Sequence, residues 1–240
     1  TFNCGRDEMN ILYTQALVSE ILKRHQPKYI IVDIMPSELS YTLQRESNIK
    51  RITTVLKPYT YQYPSLDFTL IKSGELELWK TKCSKLYGFN SLPASIFQNT
   101  FTHIGHSQEK GYEPLAGSMD SLRYTEPIDT SLLHNTQLDS EFEEDIRTLI
   151  ALSISNQFHL IFCISPYYFP MNFESNGSYQ MLHQLAKEKK IILYDYSQDK
   201  DFLLHPHLFY DDLHLNHAGA EVYTQKIIQI LKANGLQRLK

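Results

Sequence analysis

Tyr29-Ile30-Ile31-Val32-Asp33-Ile34 is a short, nearly continuous apolar run rich in β-branched residues. A strand with one wet face alternates apolar and polar residues. A run without that alternation marks a strand buried on both faces, as in parallel sheets. Two more such runs follow: residues 158–164 (FHLIFCI), stopped by Ser165-Pro166, and residues 191–194 (IILY). Around them apolar residues recur at helical spacing. Ile11, Val18 and Leu22, with Leu12 and Ile21 beside them, predict a helix over residues 10–26, with Pro27 after its end. Further helices are predicted over 141–155, 178–189 and 217–233. The last places Tyr223, Ile227, Ile230 and Leu231 on one face. Strand and helix in this rhythm predict an α/β fold whose parallel sheet is covered on both sides. Ligands in such sheets bind outside the carboxyl ends of the strands. That rule selects the loops at 5–9, 35–38, 165–170 and 204–217.

The stretch from about 45 to 138 breaks the rhythm. It is long, rich in Tyr and Pro, and contains a helical piece over 76–86. It reads as an insertion over the active edge of a single domain spanning 1–240. The chain has 240 residues, enough for one α/β core, and a formal net charge of -4. Its densest basic cluster, Lys187 to Lys190 (KEKK), falls at a helix end, where cations complement the helix dipole. No electrostatic footprint for nucleic acid is present. No run of about eighteen apolar residues occurs, so no membrane span is expected. Cys4, Cys83 and Cys163 show no zinc-ligand spacing, and Cys163 reads as a buried thiol. Cysteine usage leaves the compartment open. Residues 1–5 read as a strand end entering a loop, with no signal peptide. This predicts an upstream segment in the natural protein.

The chemistry concentrates in Tyr210-Asp211-Asp212-Leu213-His214-Leu215-Asn216-His217-Ala218-Gly219-Ala220. Asp211 and His214 stand three apart just before a helix, a spacing at which side chains on a helical turn meet. Asp211 then accepts the Nδ1 proton of His214 and leaves Nε2 as a general base. That is the orienting half of a Ser-His-Asp system. Asn216 is a natural N-cap, and Gly219 permits close helix packing.

This segment resembles the last sequence block of the SGNH/GDSL hydrolases: Asp-x-x-His, then Leu-Asn, then Gly. The resemblance extends to the start of the chain. Asn3-Cys4-Gly5-Arg6-Asp7-Glu8 looks like the second block, which lends a backbone N–H to the oxyanion hole. The family's glycine there stands about five residues after the Asn, where this chain has Glu8. Residues 29–38 look like the third block, with Ser37 near the position of the family's oxyanion Asn. The resemblance implies a three-layer α/β/α sandwich around a parallel, flavodoxin-like sheet. It gives catalytic roles to His214 and Asp211, makes Gly5, Glu8 and Ser37 oxyanion candidates, and puts Arg6 and Ser165 on the pocket rim. The nucleophilic serine of the first block belongs upstream of Thr1. No metal or organic cofactor is implied. The implied substrate is a small-molecule or carbohydrate ester, cleaved or used for acyl transfer, and the implied setting is extracytoplasmic and bacterial.

Other readings start from other residues. Gly105-His106-Ser107-Gln108-Glu109 lacks the second glycine of a nucleophile elbow. Ser165 ends a strand but is followed by Pro166. His205, His207, His214 and His217 cluster with Asp211 and Asp212, a donor set that suits zinc. Asp33 reads as part of the sheet's end. Sixteen tyrosines and twelve phenylalanines, with the departures at Glu8 and Ser37, keep open a non-catalytic SGNH-like binding or accessory domain.

Overall fold

The computed structural model describes residues 2–6, 9–39, 44–90, 110–119 and 134–235, with the backbone alone over 44–48. Helix α1 spans Ile11–Leu22, capped by Asn10, whose side chain accepts the Leu12 N–H. It ends four residues short of the expected 26. Residues 23–26 are exposed polar side chains before a proline, which disfavours the helical conformation just ahead of it. Strand β1 follows at Tyr29–Asp33. After β1 come α2 (Gln44–Leu56), α3 (Asp67–Ser73), α4 (Glu75–Cys83) and α5 (Lys85–Gly88). The single helix expected over 76–86 is broken at Ser84, whose backbone is extended. The chain then runs through α6 (Ser140–Asn156), β2 (His159–Ile164), α7 (Gly177–Lys189), β3 (Ile192–Asp195) and α8 (His217–Ala233).

The described strands form one parallel sheet in the order β1-β2-β3. Ile31 pairs with Ile161, and Asp33 with Cys163, which in turn pairs with Tyr194. The fold is therefore mixed α/β with a parallel sheet. The central strand β2 is buried throughout after His159. Because side chains alternate faces, Val32, Leu160 and Phe162 point to one side. There they join Ile34 and Ile164, and Phe142, Ile146 and Leu149 of α6, with Leu182 and Leu185 of α7, in the largest apolar cluster. Ile31 and Asp33 point to the opposite side, where β1 is uncovered and Ile31 is 43% exposed. An apolar run thus does not guarantee burial on both faces at a sheet edge.

Both central helices begin and end on local chemistry. Asp139 caps α6 by accepting the N–H groups of Glu141 and Phe142, and Asn176 caps α7 by accepting that of Tyr179. Each then closes on a left-handed residue, Gln157 and Lys190. The segment from α2 to α3 shares a second apolar cluster with α1. Ile52, Leu56 and Leu66 pack against Met9, Leu12 and Ala16 beside and on α1. Residues 105–109, with the Ser107 turn, lie outside the described residues, as does Glu8. Residues 2–6 form no strand, although a strand end was expected there. Asn3 instead donates its backbone N–H to Lys110. No described helix is long and apolar enough to cross a membrane.

Candidate functional site

The loop between β3 and α8 carries Asp211 and His214. It is closed by an antiparallel bridge between Phe209 and Leu215 and by the Tyr210 N–H donating to the His214 carbonyl at 2.8 Å. The two residues therefore meet across a tight bend, not on the helical turn expected from their spacing. One Asp211 oxygen accepts the backbone N–H of Leu213 at 2.9 Å and of His214 at 2.7 Å. Imidazole Nδ1 lies 2.9 Å from both carboxylate oxygens. A carboxylate has no proton to give, so Nδ1 carries the hydrogen, and in the neutral ring Nε2 has the lone pair. The His214 side chain is 57% exposed, so Nε2 is accessible to a reacting group. Partial burial pushes the Asp211 carboxyl up. The hydrogen bonds from the imidazole and from the two backbone N–H groups outweigh this and hold it below the ordinary carboxylate value. Beside it, burial and the Asp211 charge push Asp212 up.

The start of α8 anchors this loop. Asn216 caps the helix by accepting the Gly219 N–H at 3.0 Å. Its amide Nδ2 reaches the carbonyls of Gly117 at 2.7 Å, His207 at 2.9 Å and Phe209 at 3.3 Å. Gly219 sits where a Cβ would come within 2.0 Å of the Leu208 carbonyl oxygen. Residues 110–119 lie along the same loop. Met119 donates to Phe209 at 2.7 Å, His217 donates to Leu115 at 3.0 Å, and the Tyr112 hydroxyl meets His217 Nδ1 at 2.9 Å. The other end of this segment holds Asn3. There Gly111, at a φ of 82°, approaches the Asn3 carbonyl so closely that a Cβ would be 2.0 Å from its oxygen. One strap thus joins the first loop of the chain to the His214 loop, and nothing in the sequence spacing announced it.

Ser165, at the end of β2, donates its hydroxyl to Asp33 Oδ2 at 2.8 Å. Asp33 shows surface on the uncovered side of β1. Loss of water pushes it up to about 6, against the hydrogen bonds from Ser165 that lower it. Tyr223 of α8 reaches both Ser165 and Cys163, and burial raises its hydroxyl above the ordinary value. Burial and the neighbouring Asp33 raise the Cys163 thiol to about 12, so it behaves as a packing group and not as a nucleophile. Sequence reading took Asp33 as plain sheet end. It is indeed the last residue of β1. The Ser165 loop adjoins the His214 loop through the Tyr168 N–H, which donates to the Asp212 carbonyl at 3.2 Å.

The remaining candidates are more dispersed. Gly5 spends its N–H on the Asn3 side chain at 2.9 Å, and Arg6 is exposed. Ser37 is exposed within a single 3-10 turn, Pro36–Leu39. Its neighbour Glu38 accepts the Met35 N–H at 2.8 Å and the Ile11 N–H, tying the end of β1 to the start of α1. No hydrogen bond joins Gly5, Arg6 or Ser37 to Asp211 or His214 among the described residues. His205 and His207 stack with ring centroids 5.6 Å apart. Among the described residues no three His, Cys, Asp or Glu side chains are grouped to hold a metal ion. Comparison with protein-family models, with curated proteins and with solved structures gives no match to this chain.

Proposed function

We propose that the intact protein is an SGNH-type serine esterase or acyltransferase that moves an acyl group, acetyl foremost, to or from a carbohydrate or other small ester. The observation that carries this reading is the two-point contact of His214 Nδ1 with Asp211, which fixes the tautomer and orients Nε2 outward. A serine upstream of Thr1 attacks the ester carbonyl. His214 Nε2 takes the hydroxyl proton as the tetrahedral intermediate forms. It then returns the proton to the departing alkoxide, while Asp211 steadies the imidazolium. Water or a sugar hydroxyl resolves the acyl-enzyme by the same steps in reverse. The oxyanion is held by main-chain N–H groups near Glu8 and by the Ser37 hydroxyl. Gly5 does not contribute, because Asn3 already takes its N–H. Arg6 and Ser165 stand on the rim, no cofactor takes part, and the setting is extracytoplasmic.

The reading includes a three-layer α/β/α sandwich with a flavodoxin-like sheet, one domain over 1–240 with an insertion at about 45–138. It is supported by the helices packed on one face of the sheet and by Tyr223 of α8 reaching Cys163 from the other. Among the described residues β1 pairs on one edge alone, and the upstream serine block supplies a strand for its free edge. The full-length protein is expected to hydrolyse aryl acetates and to be labelled once by a fluorophosphonate at a serine. Failure of both would end the enzymatic reading.

Two observations favour a second reading, a non-catalytic binding domain on the same scaffold: the Gly5 N–H is occupied, and a serine stands where the family places its oxyanion asparagine. That reading predicts retention on an acetylated-glycan column without turnover.

A further inference from the structure

Helix α4 turns part of its apolar surface outward. An amphipathic helix ordinarily turns its apolar stripe to the core and its charges to water. Here Glu77 and Thr81 face the protein. Glu77 pairs with Lys57 at 2.9 Å and accepts the Tyr87 hydroxyl at 2.9 Å, and Thr81 is fully buried. Hydrogen bonding from Lys57, ahead of the opposing effect of burial, pulls the Glu77 carboxyl down to about 2, so this inward charge is well satisfied. The outward face carries Leu76, Trp79 and Cys83, three and four residues apart on one side of the helix. Leu76 is 61% exposed, Trp79 64%, and Leu86 of α5 83%. Trp79, Cys83 and Leu86 line a common hollow with Tyr87. Ile71, Tyr59, Tyr61 and Phe89 are exposed on the same helical segment. Isolated exposed hydrophobes are ordinary, but a cluster of this kind marks a contact surface.

The charges around the patch indicate what it contacts. Residues 57–90 hold five lysines, Lys57, Lys72, Lys80, Lys82 and Lys85, against Asp67, Glu75 and Glu77. They form a net positive segment in a chain whose formal charge is -4. Lys57 and Lys80 pair with Glu77, Lys72 with Asp145 and Lys82 with Asp67, and Lys80 and Lys82, with side chains 38% exposed, flank Trp79 and Cys83. Lys85, beside Leu86, lies over the Tyr61 ring at 5.2 Å. A tryptophan and leucines framed by lysines suit the headgroup layer of an anionic bilayer. There the apolar groups enter the acyl boundary, and the lysine stems extend so that the ammonium groups meet phosphate. We propose that the outer face of α4 and α5, centred on Trp79 and Leu86, docks the protein on an anionic phospholipid surface. None of these residues belongs to the Asp211–His214 loop, so this docking does not depend on the esterase reading.

Trp79 is the sole tryptophan of the chain, so its fluorescence reports this face alone. With vesicles of phosphatidylcholine containing about a third phosphatidylglycerol, its emission is expected to shift to the blue and to be quenched by brominated acyl chains. Both effects should fade in high salt and with phosphatidylcholine alone. Leu86→Glu and Lys85→Glu alter exposed side chains and leave the fold intact. Each is expected to lower vesicle co-sedimentation by roughly tenfold. Unchanged Trp79 emission with anionic vesicles overturns the proposal. So does a concentration-dependent dimer, lost in Leu86→Glu, that forms without lipid binding, since the patch would then join two copies of the chain.

Discussion

The carboxylate of Asp211 holds His214 at both its backbone and its side chain: it accepts the His214 N–H at 2.7 Å and faces imidazole Nδ1 at 2.9 Å through each oxygen. The ring is therefore oriented by a group that is itself fixed by the loop. The imidazole needs no burial to keep its direction, which is compatible with a side chain more than half exposed.

Removing either partner should abolish ester turnover without unfolding the protein. If the proposed esterase function holds, His214→Ala in the full-length chain is expected to lower kcat by about 10⁶-fold, as loss of a triad base does. Asp211→Asn still accepts the two backbone N–H groups, but its amide can oppose the Nδ1 proton and favour the wrong tautomer. A loss of about 10³–10⁴-fold follows. Aryl acetate hydrolysis measures both, and circular dichroism checks the fold. Wild-type turnover in His214→Ala would remove the histidine from the mechanism.

Asp33 and Asp211 should leave opposite marks on the pH dependence of stability. Asp33 is raised to about 6 in the folded chain, above the ~3.9 of an unfolded aspartate. The fold therefore loses stability as pH rises through the window from about 4 to 6 and carries the full penalty above it. Asp33→Asn keeps an acceptor for Ser165. Its midpoint of thermal unfolding should match the wild type near pH 4 and lie above it at pH 7, by an amount that solvent screening at this exposed residue keeps small. A constant offset across that range would contradict the assignment.

Asp211 lies below the ordinary value, so its contribution is present above ~3.9 and is lost as pH falls through its folded value. The stability deficit of Asp211→Ala at pH 7 should therefore shrink on acidification. Urea unfolding of the two proteins at pH 7 and at the lowest pH where both still fold makes the comparison.

The base of α8 should be the least tolerant part of the loop. Gly219→Ala forces a Cβ to within 2.0 Å of the Leu208 carbonyl oxygen and should cost about 3 kcal/mol through backbone displacement. Asn216→Ala removes a helix cap and strands the carbonyls of Gly117, His207 and Phe209, at a cost of about 2–3 kcal/mol. Equilibrium denaturation measures both. Stability within about 0.5 kcal/mol of the wild type would show that the loop rearranges freely.

Much of the fold was legible because it rests on local pattern. The apolar runs at 29–34, 158–164 and 191–194 became parallel strands, each within a residue of the expected bounds. Helix α8 begins after its Asn216 cap and spans the expected 217–233, since the cap and the apolar spacing act locally. The Asp211–His214 contact was also local, three residues apart. Its backbone was misjudged because bridge and carbonyl contacts from Phe209, Tyr210 and Leu215 replaced the helical turn.

What only the tertiary structure decided are the long-range partners. The hydroxyl of Ser165 meets Asp33 across 132 positions, and Asn216 meets Gly117 across 99. The strap at 110–119 is held in large part by carbonyl oxygens, which any residue type could supply. Helix α4 shows the same division: its stripe of Leu76, Trp79 and Cys83 is written in the chain, but the direction it faces is set by Lys57 and Tyr87 drawing Glu77 inward. Periodicity fixes which side chains share a face. Which way that face turns depends on a balance of burial and pairing among segments that meet only once the chain has folded.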